Sequence, residues 1–443
     1  MQHAGKPAKY RKSKTIRFVF RPEGRMLEGM AGRLAKRLGA QGSQRETNRA
    51  NLLDAIHRFG AMTQVELAET IGVSTATVSA LVHQLVDEGQ LQTNGTVRNG
   101  RRASLVTLAH REGLAAGVCI LRHSLRVVLV DDTRQPFVDH TYPLPRGHQP
   151  DTTLDIVIRM IHESLGQMDA DEASLRAIGV AVGAPIDART DTVAVPGLLP
   201  GWEDTAIGDI LSAAFGGIPV LVENDAYMAA FCEARIGAGN GVDDFVYVNA
   251  GDGVGAGIIQ HGEVYRGVTG LAGEIGHVQV DSLGAICQCG NRGCLNTVVD
   301  ERRLCSQLAV THGDLTLDDL VAKAIEGDSG CRRVIEDAAL RIGNVTSTLC
   351  IAYDPALVVV GGQLSRAGDD FLGPFRESLQ RLLFPDALTP IEVREAQHPM
   401  VNAALGAGIM AIEGVEREAL ASGREGSTRK KERGDTGGAI DVD

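Results

Sequence analysis

Between residues 44 and 108 the apolar positions recur at helical spacing three times and then give way to two short extended runs. Leu52, Leu53, Ile56 and Phe59 mark a first helix, which Gly60 ends. Thr63, with Glu66 three residues on, forms a capping box for a second helix whose buried face is Leu67, Ala68 and Ile71. Gly72 makes the turn and Ser74 caps a third helix. There Val78, Leu81, Val82 and Leu85 follow the i, i+3, i+4, i+7 rule as far as Gly89. Residues 91–93 and 105–108 are predicted strands around a loop holding Arg98, Arg101 and Arg102. Beyond residue 114, β-rich runs at 126–130, 177–182, 220–223, 245–248 and 357–360 alternate with helical stretches, which predicts an α/β body with sizeable sheets. Glycine-rich stretches follow several of these strands, where α/β folds place ligands.

A chain of 443 residues has room for about three domains, and 44% hydrophobic against 23% charged residues excludes wholesale disorder. With no run long and apolar enough to span a bilayer and no secretory signal pattern, the expectation is a cytoplasmic protein without a membrane partner. The net charge of -12 hides a split, because the first 112 residues are basic and the remainder strongly acidic. Only the basic end suits nucleic acid. Within it, residues 1–43 read as a disordered basic arm. At the other end, residues 414–443 are charged and glycine-rich and read as a disordered tail.

In the third helix Thr75, Ala76, Ser79 and His83 share an arc of about 100° beside the apolar stripe. With Ser74 and Thr77 at its start, this small, neutral face can enter a major groove, where hydroxyls meet bases or phosphates and methyl groups meet thymine. A hairpin carrying Arg98, Arg101 and Arg102 is a wing suited to phosphates or a narrow minor groove. The order of these features predicts a winged helix-turn-helix over 44–110 that binds double-stranded operator DNA. A protein-binding three-helix module with a basic loop is the alternative.

Eight cysteines are too few for a disulfide scaffold, and three of them crowd into one loop. His277, Cys287, Cys289 and Cys294 match a tetrahedral Cys3His zinc site, closed and therefore structural, which would hold the loop carrying Glu274. A reduced cysteine-rich turn without metal is the bland reading. Cys119, Cys232, Cys305, Cys331 and Cys350 lie among apolar residues and read as core.

Asn224-Asp225 after an apolar strand, the Gly-Glu274-Ile-Gly-His277 segment, the cysteine loop and Gly361-Gly362 together resemble the ROK family of repressors and sugar kinases. The resemblance covers about residues 44–413. It implies an actin-like, ribonuclease H-like pair of lobes, the first over 111–235 and the second over 236–398, with a helix at 399–413 returning to the first lobe. A sugar would lie in the cleft, contacted by Asn224, Asp225, Glu274 and His277, with Asp225 the base in kinase members and vestigial here. Asn296, a further candidate sugar contact, stands where kinase members carry Glu, and Gly197 where many members have Asn.

Kinase members also use Asp-x-Gly-Gly-Thr in the first strand-turn, where this chain reads Cys119-Ile-Leu121-Arg122-His123. The second phosphate loop, residues 250–257, keeps its glycines but puts Asp252 where kinases commonly have Thr, a like charge for a triphosphate. The expectation is therefore a sugar-responsive, homodimeric transcriptional repressor that is not an enzyme. A bifunctional sugar kinase with a DNA-binding domain is the second reading, and a regulator that no longer senses sugar the third.

Overall fold

The structure, a computed structural model, describes residues 40–59, 62–87, 91–98, 101–108, 113–383 and 390–434. The basic arm before Ala40, Gly60, Gly89 and the linker at 109–112 lie outside them.

The N-terminal unit packs helices Ala40–Phe59, Gln64–Ile71 and Thr75–Asp87 on a three-stranded sheet of order β1-β3-β2, with β1 Met62–Thr63, β2 Leu91–Arg98 and β3 Arg101–Leu108. Its core is the predicted one: Leu52, Leu67, Val78, Leu85 and Val106 are fully buried. The capping box forms, since Glu66 Oε2 accepts from Thr63 N at 2.8 Å and Thr63 Oγ1 from Glu66 N at 3.3 Å. Gly72 takes the left-handed conformation at φ 69°, and the chain bends by 113° between the two helices, within the range of a helix-turn-helix. Two features differ from expectation. Strand pairing runs out to Arg98 opposite Arg101, so the arginines sit on the last rungs of a hairpin and not in a long loop. Met62–Thr63 also pairs with β3, a ladder too short to leave any alternation in sequence.

The body consists of two lobes that repeat one topology. In the first, β4 Leu114–Ile120, β5 Ser124–Val130, β6 Pro136–Pro143, β7 Leu175–Val182 and β10 Val220–Asn224 form a sheet of order β10-β7-β4-β5-β6. A ribbon of β8 Ile186–Asp187 and β9 Thr192–Val193 and the helices Pro150–Gln167 and Ile207–Ala214 complete it. In the second, β11 Phe245–Ala250, β12 Val254–Gln260, β13 Glu263–Tyr265, β14 Leu357–Gly361 and β15 Glu392–Glu395 give the order β13-β12-β11-β14-β15. Each sheet is thus an antiparallel three-strand meander followed by two parallel strands added on the far side of its first strand. Helices Leu317–Ile325, Ser329–Tyr353 and Asp369–Leu382 bury their apolar faces on the second sheet.

Helices Asp225–Ile236 and Asn402–Gly434 lie in a third core that joins the lobes, where Tyr227, Phe231, Leu405 and Ile409 meet Val128 of the first sheet and Phe245 and Tyr247 of the second. The C-terminal helix does return to the first lobe, and it does so by backbone contact. A β-carbon at Gly117 would overlap the Ala404 carbonyl, one at Gly179 the Ala407 carbonyl and one at Gly406 the Met228 carbonyl. The helix does not end at residue 413 but continues to Gly434, and the rest of the expected tail, residues 435–443, lies outside the described residues. At the point where the tail was expected to begin, Glu413 is buried between Arg134 at 2.9 Å and Arg235 at 3.4 Å and accepts from Arg417 one turn later at 3.2 Å. Without that carboxylate Arg134 would be left a buried charge, whereas Arg235 also reaches Glu263 at 3.2 Å, so Glu413 ties this turn of the helix to its neighbours. Among the described residues no single helix is long and apolar enough to cross a membrane.

Candidate functional site

On the third helix of the N-terminal unit, Thr75, Ala76 and His83 are exposed and Ser79 is half-buried. Ser74 caps the helix, its Oγ accepting from Thr77 N at 3.2 Å and sharing a 2.8 Å hydrogen bond with Thr77 Oγ1. The hydroxyls of Ser74 and Thr77 are therefore engaged with each other at the cap expected of Ser74. Capping is the stronger local demand, since it satisfies an otherwise orphan amide. The backbone of Arg98, Arg101 and Arg102 reaches the end of the hairpin.

In the body, β10 ends where helix Asp225–Ile236 begins. Asn224 is the cap, its Oδ1 accepting from Ala226 N at 2.9 Å and Tyr227 N at 3.3 Å while its amide donates to Ala184 O at 3.3 Å. One amide hydrogen is left for a ligand, so the part expected of Asn224 shrinks to that. Asp225, the first residue of the helix, takes a 3.3 Å hydrogen bond from Asn249 at the end of β11. Burial pushes its carboxyl up to about 6, against the pull of helix-terminal amides and the Arg122 guanidinium.

Glu274 and His277 lie on the loop after β13. Burial, and next the charge of Asp225, push the Glu274 carboxyl up to about 7, so the two acids from opposite lobes lie within electrostatic reach. His277 Nε2 stands 3.9 Å from Glu274 Oε2, and its Nδ1 faces the Cys287 sulfur at 3.5 Å. Burial and the Arg122 charge hold the imidazole below its ordinary value, which favours the neutral ring. The loop is pinned by the Tyr227 hydroxyl, which bonds the carbonyl of Ala272, and by Arg266, which pairs with Glu223 at the end of β10. Asn296 turns inward, its Oδ1 accepting from Val254 N at 2.9 Å, and braces the glycine stretch after β11.

The four ligand atoms of His277, Cys287, Cys289 and Cys294 all lie within 4.8 Å of one another, and the Cys289 and Cys294 sulfurs are 3.7 Å apart. Two sulfurs at about 2.3 Å from a tetrahedral ion stand about 3.8 Å apart, so the spacing fits zinc and is far too long for a disulfide. Gln288 in this loop backs onto Gly197, and Cys289 packs on the first-lobe core, so the loop touches both lobes. The remaining five cysteines are buried, as expected.

Sequence reasoning missed Asn249, Arg266 and Tyr227. Asn249 carried a signal, a polar residue at the end of an apolar strand just ahead of the glycine stretch. The other two are set by contacts from β10 and β13 that no sequence period reveals.

Two lobes of one repeated topology, with acids from both within electrostatic reach and a winged helix ahead of them, define an actin-like sugar-kinase fold fused to a helix-turn-helix. Residues 115–413 match the ROK family and residues 46–102 the MarR family. The chain belongs to the ROK family. It is 26% identical over 375 residues to the xylose repressor of Bacillus spizizenii, covering 83% of this chain and 96% of that protein. It is 28% identical over 347 residues to the N-acetylglucosamine repressor of Escherichia coli O157:H7, covering 75% and 84%. A ROK family glucokinase from Streptomyces griseus, solved with glucose and AMPPNP, superposes with a TM-score of 0.62 at 27% identity over 68% of this chain and 100% of that one. A ROK family transcriptional regulator, a homolog of the E. coli MLC protein, gives 0.65 at 22% identity over 84% and 97%, a likeness of fold that extends across the winged helix.

Proposed function

We propose that this chain is a homodimeric transcriptional repressor that binds double-stranded operator DNA through its winged helix and is released by a sugar or sugar derivative held in the cleft. One observation carries the reading. An outward recognition face and a sugar-kinase cleft occur in one chain whose phosphate-binding turn has become Leu121-Arg122-His123. The two repressors to which it is similar span both units, which supports the same reading. Asp225, Glu274 and His277 would accept from or donate to sugar hydroxyls, with the remaining amide hydrogen of Asn224. His277, Cys287, Cys289 and Cys294 would hold zinc, which supplies rigidity and no open coordination position. Zinc on Nδ1 would fix the tautomer and leave Nε2 to the sugar.

The reading excludes phosphoryl transfer, and ATP consumption over a hexose panel tests that part directly. The DNA contacts are tested by replacing Arg101 and Arg102 with Ala together. Operator and random DNA are both expected to bind about 10-fold or more weakly, with a shallower salt slope, because phosphate contacts release counterions. Unchanged affinity would remove the wing from the interface. Thr75→Val is expected to alter sequence preference instead. A two-fold symmetric operator and a dimer in sedimentation at micromolar concentration complete the expected picture.

Asp225 also makes a pH prediction. Its carboxyl is raised from 3.8 to about 6, so the fold favours the neutral acid. The associated stability is present below about pH 3.8 and lost as pH rises through 6. Asp225→Asn should therefore stabilise the protein on the order of 2 kcal/mol at pH 8, with the gain vanishing toward pH 4. Urea denaturation across that range reads the difference, and a gain independent of pH would refute the assignment.

A further inference from the structure

Because the lobes repeat one topology, each has a hairpin turn between its first two strands, and the two turns face each other across the cleft. The β4–β5 turn carries Arg122 and His123, and the β11–β12 turn carries Asp252. Arg122 Nη1 lies 4.0 Å from Asp252 Oδ2, and His123 Nε2 lies 3.7 Å from the same oxygen. The imidazole also lies 3.9 Å from Glu301 Oε2, on the first residue of helix Glu301–Ser306. All four side chains are partly shielded, Glu301 most of all at 16% exposure.

Both turns are held from behind. His148 Nε2 lies 3.1 Å from the Leu121 carbonyl and Leu144 N donates to the His123 carbonyl at 2.9 Å, which fixes the first turn. Asp252 N donates to Gln363 Oε1 at 3.3 Å, and Glu301 Oε1 accepts from Leu317 N at 3.0 Å, which fixes the second side. An isolated exposed ion pair contributes little, mainly because two long side chains must be ordered and water screens them. Here two basic groups meet two acids on anchored turns with partial shielding. The resemblance to kinases places nucleotide phosphates between these same turns, where a negative ligand would have to join groups on both lobes.

We infer that Arg122 and His123 of the first lobe form, with Asp252 and Glu301 of the second, a charge clasp that takes the place of nucleotide phosphates and draws the lobes together. Asp252 is the built-in anion, and the change from Thr to Asp that bars a triphosphate is the same change that supplies the clasp. Other charged groups around it are His148 beside the first turn, and Asp225 and His277, both of which feel the Arg122 charge. The clasp therefore borders the proposed sugar contacts. It rests on the sensor reading only for its effect on release from DNA, and its existence is testable without any effector.

The test is hydrogen exchange in the full chain at residues 224–228 and 272–277, cleft walls that the variants do not alter. Asp252→Arg and Arg122→Asp should each speed exchange there about 10-fold, and the two together should return it to within about 2-fold of wild type. The neutral Glu301→Gln should give a smaller acceleration of about 3-fold. Raising sodium chloride from about 0.05 M to 1 M should speed exchange in wild type but not in Asp252→Arg, since the screening length falls to about 3 Å. Magnesium ATP should leave wild-type exchange unchanged. A double variant as fast as the faster single one, wild-type exchange in both single variants, or protection by magnesium ATP would each overturn the clasp. None of these outcomes depends on which sugar, if any, the cleft binds.

Discussion

Operator DNA should bind about 5- to 150-fold more weakly when the cleft holds its best stabilising sugar, and Glu274→Ala should abolish that difference while leaving ligand-free DNA affinity within about 2-fold. A ligand changes DNA affinity only through a conformation it prefers; in the proposed homodimer that would be a closed form whose two winged helices are wrongly spaced for the half-sites. Glu274 is placed to sense closure because it lies on the second lobe within reach of Asp225, the first residue of the helix capped by first-lobe Asn224. Its partners are His277 and Asp225, both in the body of the chain, so ligand-free binding should survive its loss. Operator titration with and without sugar, for wild type and Glu274→Ala, measures the coupling. An equal sugar response in both proteins would show that the effector binds elsewhere.

Cys289→Ser should release the metal, taking zinc from about one per chain to near none, and should blunt the sugar response before it unfolds the chain. The cluster sits on a loop that is held by its own backbone hydrogen bonds and whose contacts reach both lobes, through Cys289 on the first-lobe core and Gln288 behind Gly197. Without the ion three thiols and an imidazole would have no common partner, and Glu274, three residues before His277, would lose its support. Because the three large cores do not include this loop's metal ligands as their centre, the cost should be local, about 5–10 °C in melting temperature. Metal analysis together with sugar-dependent melting reads both effects. Freshly purified wild-type protein without zinc would remove the site.

The features legible in sequence were those set by neighbours along the chain. Thr63 with Glu66, the turn at Gly72 and the stripe Val78, Leu81, Val82 and Leu85 are local, and so is the spacing that brings His277, Cys287, Cys289 and Cys294 together. Where two local demands compete for one side chain the outcome was harder to foresee. Asn224 and Thr77 carry groups suited to a ligand, yet each also lies at a helix start where amides must be satisfied. What depends on strands distant in sequence was not legible at all. The pairing of Met62–Thr63 with β3, the contact of Arg122 with Asp252 and the repetition of one sheet order in both lobes arise only when the chain closes on itself.

The glycine contacts beneath the C-terminal helix carry a mechanical consequence. At Gly117 and Gly179 the main chain of the sheet rests directly on the main chain of the helix, and at Gly406 the helix rests on the main chain of helix Asp225–Ile236, so at these points no side chain lies between them to yield or repack. Packed helices normally slide past one another by an ångström or two, but here that slip has no room. Helix and first sheet must turn as one lever. The helix has 33 residues and, at 1.5 Å per residue, is about 50 Å long. A rotation of about 5° at one end moves the other by about 4 Å, slightly more than the 3.4 Å between successive base pairs of DNA.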